Sequence, residues 1–558
     1  MVSTRRGWLA WALLPVLLIS CTSAPEDDAA PELAPPEPAP TQEPSTPAST
    51  VQGGTVVVAV ADEPTTLHPW MAAADSSVGM LVRPVLAPLW RVRPDGTSEP
   101  WLLAEQPTVR EATATEPFAV TYRIRDDAVW SDGEAIDGRD VLFTLETCLR
   151  DAPHDDCAAV DLSRSTADGK QATVAFERPV GEWTRILQSL PVLPEHRLRG
   201  RAPQTAWTRR IDVSSGPFRF ASWTPGARLV LERNDRWWGE PPALDRIEFH
   251  FAVHDTVAGV VDGAVDVVQM PASPAAVEQA QAEARLRSVV EPGSQWAALD
   301  FNLTSPLLGR RALRRALASA INRTTVVNEL IRPVDPTTAV LDALPGGPRA
   351  TEGQTLLYPG YDAARAAREL DAAGCAVGDG GVRICGDQPL EIDLVTTSDD
   401  WQQAVIADYV RSQLTAVGVV VRRARPPSDP PDRGTSAAPS EPGAAGDDGG
   451  RWDLRVTAVG AATGGGRRWH CDDPANTQGF CEPRYDDLVE RASTTTDPEQ
   501  RAALDAQAAL LLSSDLPTYP LYEMPTMLVH SRGVRGPALS RLPWGLTWNV
   551  DEWARTAD

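Results

Sequence analysis

One stretch of the chain constrains the fold more than any other, because its apolar pattern changes period twice in quick succession. Leu390–Thr396 is a short run rich in apolar and β-branched residues, Trp401–Val417 repeats apolar residues at helical spacing, and Val419–Arg422 is β-branched again. A strand, a helix and a second strand in this order form a βαβ crossover, which requires a parallel or mixed sheet. The sequence therefore predicts an α/β fold.

Further elements follow from the same periodicities. Leu313–Ile331 is the clearest helix, with Leu313, Leu317 and Ile321 on one side and arginines on the other, and it is predicted as one continuous element. The remaining predictions are strands at Gly54–Ala61, Val120–Arg125, Leu229–Glu232 and Arg246–Phe251, and helices at Asp137–Leu149 and Ala363–Ala373.

The N-terminus has the layout of an export signal. Residues 1–20 combine Arg5 and Arg6 with a short apolar run that ends at Ile19, and Cys21 follows directly. The apolar run is too short to cross a hydrocarbon core, which takes about 20 residues. The end of the run resembles a lipobox, in which the cysteine thiol receives acyl chains such as palmitate and the signal is removed just before it. An ordinary cleaved signal with a coincidental cysteine is the alternative.

The segment after Cys21 favours the lipoprotein interpretation. Residues 21–52 are rich in Pro, Ala, Glu and Ser and carry few large apolar side chains, so we expect a disordered tether. The body beyond it exceeds the roughly 250–300 residues at which one core stops growing, which predicts two or three lobes. Residues 426–450 again lack apolar periodicity, and we expect a disordered insert there.

Six cysteines remain beyond Cys21, and they fall into three close pairs. Since an exported chain meets an oxidising compartment, the simplest interpretation is three local disulfides. A structural zinc site is the competing interpretation, but its ligands are usually two to four residues apart within each half of the motif, and these spacings are wider. The predicted pairs are Cys148 with Cys157, Cys375 with Cys385, and Cys471 with Cys481.

Composition and motifs exclude two broad functions. The formal net charge of −24 argues against a nucleic-acid partner, which requires basic patches. The sequence contains no G-x-S-x-G, H-E-x-x-H or phosphate-binding P-loop motif, and its seven histidines are scattered. We therefore expect neither an enzyme nor a resident cofactor or metal.

Seven stretches resemble, in order, the family-5 extracellular solute-binding proteins, which are the peptide and nickel receptors of ABC importers. Each motif alone is weak evidence for the family, but the seven motifs occur in the family's order and together span nearly the whole body. The stretches are Glu63–Pro69; Leu86–Pro100; Tyr122–Thr144; Ser215–Phe218 with Trp223, Gly226, Asn234 and Trp237–Trp238; Phe301–Asn302 with Arg314–Leu317 and Ala320–Arg323; Tyr361–Gly374; and Tyr485–Leu488 with Pro517–Tyr522.

The resemblance implies a periplasmic-binding-protein-like, two-lobed clamshell of class II with an additional N-terminal subdomain. Lobe I would combine residues 53–75, 168–295 and 530–558, its subdomain would be 76–167, and lobe II would be 296–529. It also implies a monomer, lipid-anchored to the cell membrane and facing outward, that captures a peptide or other small-molecule ligand between the lobes and delivers it to ABC permease subunits.

Ligand contacts are expected from loops that face the cleft between the lobes. Glu63 and Pro64 directly follow the first long strand, where the family's peptide receptors touch the ligand backbone; Glu63 has capping of the next element as its alternative role. Trp296 lies near the expected lobe crossing, and Trp401 opens a helix after a strand. For both tryptophans, core packing is the alternative role.

One departure from the family pattern bears on the ligand. The family's peptide receptors carry an acidic residue, after the strand that opens here at Trp452–Leu454, which pairs with the ligand's terminal amine. Ala462 stands at that position, within a run of small residues. We therefore expect a ligand without a free amine, or with bulk at this point. Open alternatives are a surface lipoprotein that senses or adheres, and a receptor for a metal chelate or an oligosaccharide.

Overall fold

The structure is a computed structural model that describes residues 50–69, 77–151, 157–188, 190–202, 205–251, 256–345, 347–348, 350, 354–397, 401–423, 452–460, 465–542 and 545–557. The predicted signal, most of the predicted tether with Cys21, the insert at 426–450, and Ala462 lie outside these residues.

The described strands form five sheets. In chain order they are β1 (Thr50–Val51), β2 (Thr55–Ala59), β3 (Trp90–Val92), β4 (Ser98–Pro100), β5 (Thr108–Arg110), β6 (Ala119–Arg123), β7 (Val160–Asp168), β8 (Gln171–Phe176), β9 (Phe218–Thr224), β10 (Arg228–Arg233), β11 (Arg246–His250), β12 (Val267–Pro271), β13 (Leu286–Phe301), β14 (Cys375–Val377), β15 (Arg383–Cys385), β16 (Gln388–Pro389), β17 (Glu391–Thr396), β18 (Val420–Arg423), β19 (Leu454–Gly460), β20 (Thr518–Ser531), β21 (Val534–Arg535) and β22 (Ala554–Thr556).

Helices cover the faces of these sheets. The α-helices are α1 (Val78–Val82), α2 (Gly138–Asp151), α3 (Glu195–Leu198), α4 (Val257–Val261), α5 (Pro274–Ala282), α6 (Arg311–Ser319), α7 (Arg323–Val326), α8 (Ala363–Ala372), α9 (Trp401–Ala416), α10 (Pro483–Thr494) and α11 (Pro498–Asp515). A π-helical turn covers Val327–Ile331, and short 3₁₀ helices cover Trp183–Leu187, Asp379–Gly381, Gly465–Trp469 and Gly545–Glu552.

The main sheet has the strand order β18-β17-β19-β13-β20-β12-β2-β11-β10-β9. Of its described strands, β13 and β20 alone run through its whole depth: Leu286–Pro292 pairs with Pro525–Ser531, and a second stretch pairs Trp296–Asp300 with Thr518–Glu523. The register shifts between Pro292 and Trp296. Because proline cannot donate a ladder hydrogen bond, Pro292 and Pro525 sit where the ladder is interrupted.

This interruption divides the sheet into two halves. The first half comprises β12, β2, β11, β10 and β9 with the paired residues 286–292 and 525–531; the second half comprises β18, β17 and β19 with 296–301 and 518–523. The predicted boundary at 295 and 296 falls within the interruption. The return crossing lies near residue 524 instead of the predicted 530, because β20 already pairs with the first half from Pro525.

Hydrophobic cores on both faces support each half, and Val334 of the second half packs in one core of the first half with Ala59 and Met527. One large core joins the first half to the N-terminal subdomain and includes Val58, Trp130 and Phe249. The second half has a core on each face: Leu299 and Ile406 belong to one, and Trp296 belongs to the other. The predicted βαβ unit is confirmed, since β17 and β18 pair in parallel and α9 packs in the core on one face.

The subdomain is built on a four-stranded sheet of order β5-β6-β8-β7, with α2 packed in the same core. The predicted subdomain end at 167 is wrong, because it would divide a hairpin: β7 and β8 pair up to Asp168 opposite Gln171, across a turn that contains Gly169 at φ 53°. The N-terminal boundary at 52 is also late, since Thr50 and Val51 already pair with β22.

The helix predicted over Leu313–Ile331 is broken into α6, α7 and the π-helical turn, so the prediction of one continuous element is wrong. Asn322 causes the break. Its side chain accepts a hydrogen bond from the Thr325 backbone N–H and so caps a new helix, while its own N–H donates to Gln413 Oε1 at 2.8 Å. The apolar periodicity continues across the break, which is why the pattern concealed it.

The three predicted cysteine pairs are joined as disulfides. The first links the end of α2 to the segment before β7, the second ties β14 to β15, and the third closes the loop before α10. Among the described helices, none combines the length and apolarity needed to span a membrane.

Candidate ligand-binding cleft

Four strands point their carboxyl ends at the interruption of the main sheet. In the first half, β2 runs parallel to β12, and Pro271 at the end of β12 lies opposite Thr526. In the second half, β17 runs parallel to β19, and Gly460 at the end of β19 lies opposite Gln295. In α/β sheets ligands bind outside the carboxyl ends of strands. We call the region where these four ends meet the cleft.

The predicted contact residues fall at these strand ends. Glu63 and Pro64 follow β2, Trp401 begins α9 after β17, and Trp296 lies in β13 where the two halves meet. The topology therefore brings these four positions to one region from distant parts of the sequence. Ala462 follows β19 but lies outside the described residues.

Glu63 is already engaged by the protein. Its carboxylate accepts a hydrogen bond of 2.7 Å from the Trp223 indole N–H and one of 2.8 Å from the Gly226 backbone N–H, and the Arg209 guanidinium lies 3.8 Å away. These partners belong to the β9–β10 hairpin and to the segment before it, so Glu63 fastens the loop after β2 to this hairpin. Pro64 beside it is buried.

Trp296 is a core residue with an unusual polar feature. Its side chain is 1% exposed and packs in the same core as Val459 and Trp469. Its indole N–H is buried and finds no acceptor among the described residues. The ring of Trp296 therefore has the alternative role of core packing. Its N–H remains an unused donor next to the cleft.

Trp401 differs from Trp296 in its exposure. It is 41% exposed at the first position of α9. The next two residues, Gln402 and Gln403, are buried, and Gln403 Oε1 accepts hydrogen bonds from the backbone N–H and the hydroxyl of Thr397. This bonding holds the end of β17 to the start of α9, so the exposed indole is presented from a fixed helix terminus.

Two charged features of the structure escaped prediction from the sequence. Arg541 Nη1 lies 3.1 Å from Glu523 Oε1, which pairs the C-terminal segment with the return crossing of β20. Arg468 lies on the 3₁₀ helix that follows β19, and its buried Nε finds no acceptor within the described part of the chain. The two adjacent arginines after a glycine run were the available signal for Arg468.

Burial and nearby charges of both signs act on the Arg468 guanidinium. Burial lowers the pKa of its guanidinium below the ordinary value; nearby Arg455 adds to this effect, and Asp300 opposes it. Asp300 is itself fully buried and holds Arg455 at 3.0 Å and the Thr518 hydroxyl at 2.9 Å. Asp300 and Arg455 pair at the end of β13 and β19 that is remote from Gln295 and Gly460, so the proposal of Arg468 as a solute contact rests only on the lack of a hydrogen-bond partner for its Nε among the described residues.

A separate cavity of about 250 Å³ lies between the subdomain and α3 and contains none of the predicted contact residues. Asp140 lines it and is only 4% exposed. Its carboxylate accepts hydrogen bonds from the Trp130 indole N–H and from the backbone N–H groups of Asp137 and Glu195. Burial, partly offset by these hydrogen bonds, raises the pKa of Asp140 to about 6. The bonding joins three segments and indicates a structural role.

The family model described as bacterial extracellular solute-binding proteins, family 5 Middle, matches residues 97–464. The chain belongs to this family. The predicted family and the α/β fold class are therefore confirmed. Members of this solute-binding family act outside the cytoplasm, and the expected receptor architecture agrees with the two-half sheet.

Named relatives agree with the family assignment. An uncharacterized lipoprotein of Mycobacterium leprae is 25% identical over 485 residues, covering 78% of this chain and 82% of the relative. The oligopeptide-binding protein OppA of Mycobacterium bovis is 27% identical over 353 residues, covering 59% of this chain and 57% of the relative. The solved periplasmic EDTA-binding protein EppA superposes with a TM-score of 0.78 at 22% identity, covering 92% of this chain and 98% of that one.

Proposed function

We propose that this family-5 protein is the membrane-tethered, extracytoplasmic substrate-binding protein of an ABC importer. It captures a peptide or peptide-like solute in the cleft and delivers it to the permease. The observation that carries the proposal is the convergence of four strand ends, two from each half, on one region of a sheet that β13 and β20 cross. Two bodies joined by two strands can close on a solute and then present a changed surface to a partner.

The lipid anchor rests on the sequence and on the relatives. Cys21 follows a signal-like segment, and the Mycobacterium leprae relative is named a lipoprotein. Acyl chains hold a protein at a membrane because each buried CH₂ contributes about 0.8 kcal/mol. Metabolic labelling with an alkyne fatty acid should label the native chain and fail to label Cys21→Ala, which should also be released from the membrane fraction. Equal labelling of the two proteins would contradict the anchor.

The cargo is best identified from the protein itself. The full chain is purified in detergent and denatured, and the released small molecules are analysed by mass spectrometry. The expected result is a peptide or a peptide-like compound whose terminal amine is blocked or absent, because Ala462 replaces the acidic residue that the family's peptide receptors use. Calorimetry with matched di- to pentapeptides, free and N-acetylated, then tests the amine directly. Tight binding that requires the free amine would overturn this expectation.

Other outcomes of the same experiment separate the alternatives. Release of a metal chelate would favour a chelate receptor, as the description of the EDTA-binding neighbour suggests, and an oligosaccharide would favour a sugar receptor. Uptake of the identified solute by cells with and without the gene separates import from sensing or adhesion. Uptake that does not change when the gene is deleted would contradict the transport function.

A further inference from the structure

The two halves touch at a second place, remote in sequence from the β13–β20 crossing. Residues 177–182 link β8 to the 3₁₀ helix Trp183–Leu187, and Val180 and Trp183 pack against the core of the first half. The opposing residues are the end of α10 and the start of α11, whose apolar side chains, such as Val489 and Leu504, belong to a core of the second half. The two contacting segments therefore belong to different halves of the protein.

Direct hydrogen bonds join the two sides. The Gly181 backbone N–H donates to Ser493 O at 2.8 Å, and Arg501 Nη1 donates to Gly181 O at 2.7 Å. Ser493 lies in the last turn of α10, where backbone carbonyls have no partner within the helix. The Gly181 N–H of the first half therefore donates to a carbonyl that has no partner within α10. In return, Arg501 of the second half donates to the Gly181 carbonyl.

Charged and polar side chains extend the contact. Arg178 Nη1 lies 3.3 Å from Ser493 Oγ and 3.6 Å from Glu490 Oε1. A cation at the carboxyl terminus of a helix is favourable, because the helix dipole is negative there. On the other side of the contact, the Thr496 hydroxyl lies 3.4 Å from Glu111 Oε2.

Glycine is the one residue type that fits at position 181. A Cβ atom there would lie 2.4 Å from Thr495 O and 3.1 Å from Ala492 O, both backbone atoms of the second half. Backbone atoms cannot move aside as a flexible side chain would, so any side chain at 181 forces the two halves apart. The obstruction arises only while they are in contact, since both carbonyls belong to the opposite half.

We propose that Gly181, with Arg178 and Arg501, forms a latch that holds the two halves together in the closed state and breaks when the protein opens to exchange solute. This inference rests on the proposed function, because opening matters only for a receptor that loads and unloads. The latch consists of one glycine peptide unit and a few charged side chains. Its contacts therefore add a small barrier to opening, and all of them are lost once the halves separate.

Hydrogen–deuterium exchange on the full chain in detergent tests the latch without added solute. In Gly181→Ala we expect exchange to rise about tenfold or more in peptides covering 178–182 and 490–501 together, and to stay unchanged in β13 and β20. Gly360→Ala is the matched control, because a Cβ at Gly360 meets nothing within 4 Å. Small-angle scattering should show a larger radius of gyration for Gly181→Ala alone.

A second variant guards against simple misfolding. Arg501→Gln removes the donor to Gly181 O without adding bulk, and we expect a smaller rise in exchange in the same two segments. Arg491→Gln, which removes an exposed partner of Asp487 on α10, is its control. Unchanged exchange in 490–501 in both latch variants, or a rise spread across the core strands, would overturn the latch. Since no solute is added, either result leaves the proposed transport function to its own test.

Discussion

The two halves of the protein meet the cleft with opposite chemistry. In the first half, the charged residue at the strand end, Glu63, has its carboxylate committed to Trp223 and Gly226. In the second half, the Trp296 indole N–H and the Arg468 Nε lack acceptors within the described residues, and Trp401 is exposed. Polar groups that are buried without partners are costly, so they persist where something outside the fold satisfies them.

This difference assigns separate tasks to the halves. The first half, with its subdomain, has the larger core, and its Glu63 carboxylate at the strand end is bonded within the protein, so we propose that this half acts as a scaffold. The second half presents the unpartnered indole N–H of Trp296 from β13 and the exposed ring of Trp401 from the start of α9, so we propose that it is the specificity-determining side. Substitutions in the first half should therefore change stability more than affinity, and substitutions in the second half should do the reverse.

The largest effect is expected at Asp140 in the subdomain. Burial raises the pKa of its carboxyl from an ordinary 3.8 to about 6 in the folded protein. Between these values the folded state holds a proton that the unfolded state has released, so stability falls as pH rises through this window. The loss amounts to about 3 kcal/mol, since each unit of pKa difference corresponds to about 1.4 kcal/mol.

Urea unfolding between pH 4 and pH 7 measures this effect. The free energy of unfolding of the native protein should fall relative to that of Asp140→Asn as pH rises from about 4 to about 6. Asp126→Asn, at an exposed carboxylate of the same subdomain, is the control. Affinity for the recovered solute should be the same in all three proteins. Parallel pH profiles for the native protein and Asp140→Asn would contradict the raised pKa.

A smaller effect separates the two roles predicted for Glu63. In Glu63→Ala the Trp223 indole N–H and the Gly226 N–H lose their acceptor, which should lower the free energy of unfolding by about 1–3 kcal/mol. Asp62→Ala, at the exposed neighbouring residue, should leave stability nearly unchanged. Unfolding and calorimetry are measured on the same preparations. If Glu63→Ala weakened solute binding but kept full stability, Glu63 would belong to the ligand site and the contrast between the halves would fail.

Sequence periodicity was sufficient for elements with an uninterrupted apolar pattern and insufficient for elements whose pattern is interrupted. It predicted β17, α9 and β18, because each keeps one period and is bounded by clear breaks. It missed β13 and β20, the strands that define the architecture, because Pro292 and Pro525 interrupt their patterns where the ladder itself is interrupted. It also missed the break at Asn322, which depends on a side-chain hydrogen bond and on Gln413 from a distant helix.

The same distinction applies to the cleft. Family resemblance and strand ends placed Glu63, Trp296 and Trp401 in one region, since that placement follows from topology. Whether a polar group is already satisfied depends on partners distant in sequence, such as Trp223 for Glu63. Periodicity carries no information about such pairs. Arg468 was missed for this reason: an arginine becomes a candidate contact only once its lack of a partner is visible.

The smallest effect, and the most direct test of the contrast, concerns the adjacent Arg467 and Arg468. Arg468→Gln removes a desolvated cation with no carboxylate partner among the described residues, so the free energy of unfolding should stay within about 0.5 kcal/mol or rise slightly. If the cation receives an anionic group of the solute, affinity should fall about tenfold, near the lower range for a charge-assisted hydrogen bond. Arg467→Gln is the matched control, because Arg467 already lies 3.7 Å from Glu490.

Calorimetry with the recovered solute and with its carboxylate-blocked ester completes this comparison. Native protein and Arg467→Gln should prefer the free carboxylate, and Arg468→Gln should bind both forms with similar affinity. Because the two arginines are neighbours of equal charge, a long-range effect of net charge would weaken both variants alike, whereas a direct contact affects Arg468 alone. Equal losses in both variants, or a recovered solute without any anionic group, would remove Arg468 from the site and leave Trp296 and Trp401 to define the second half of the cleft.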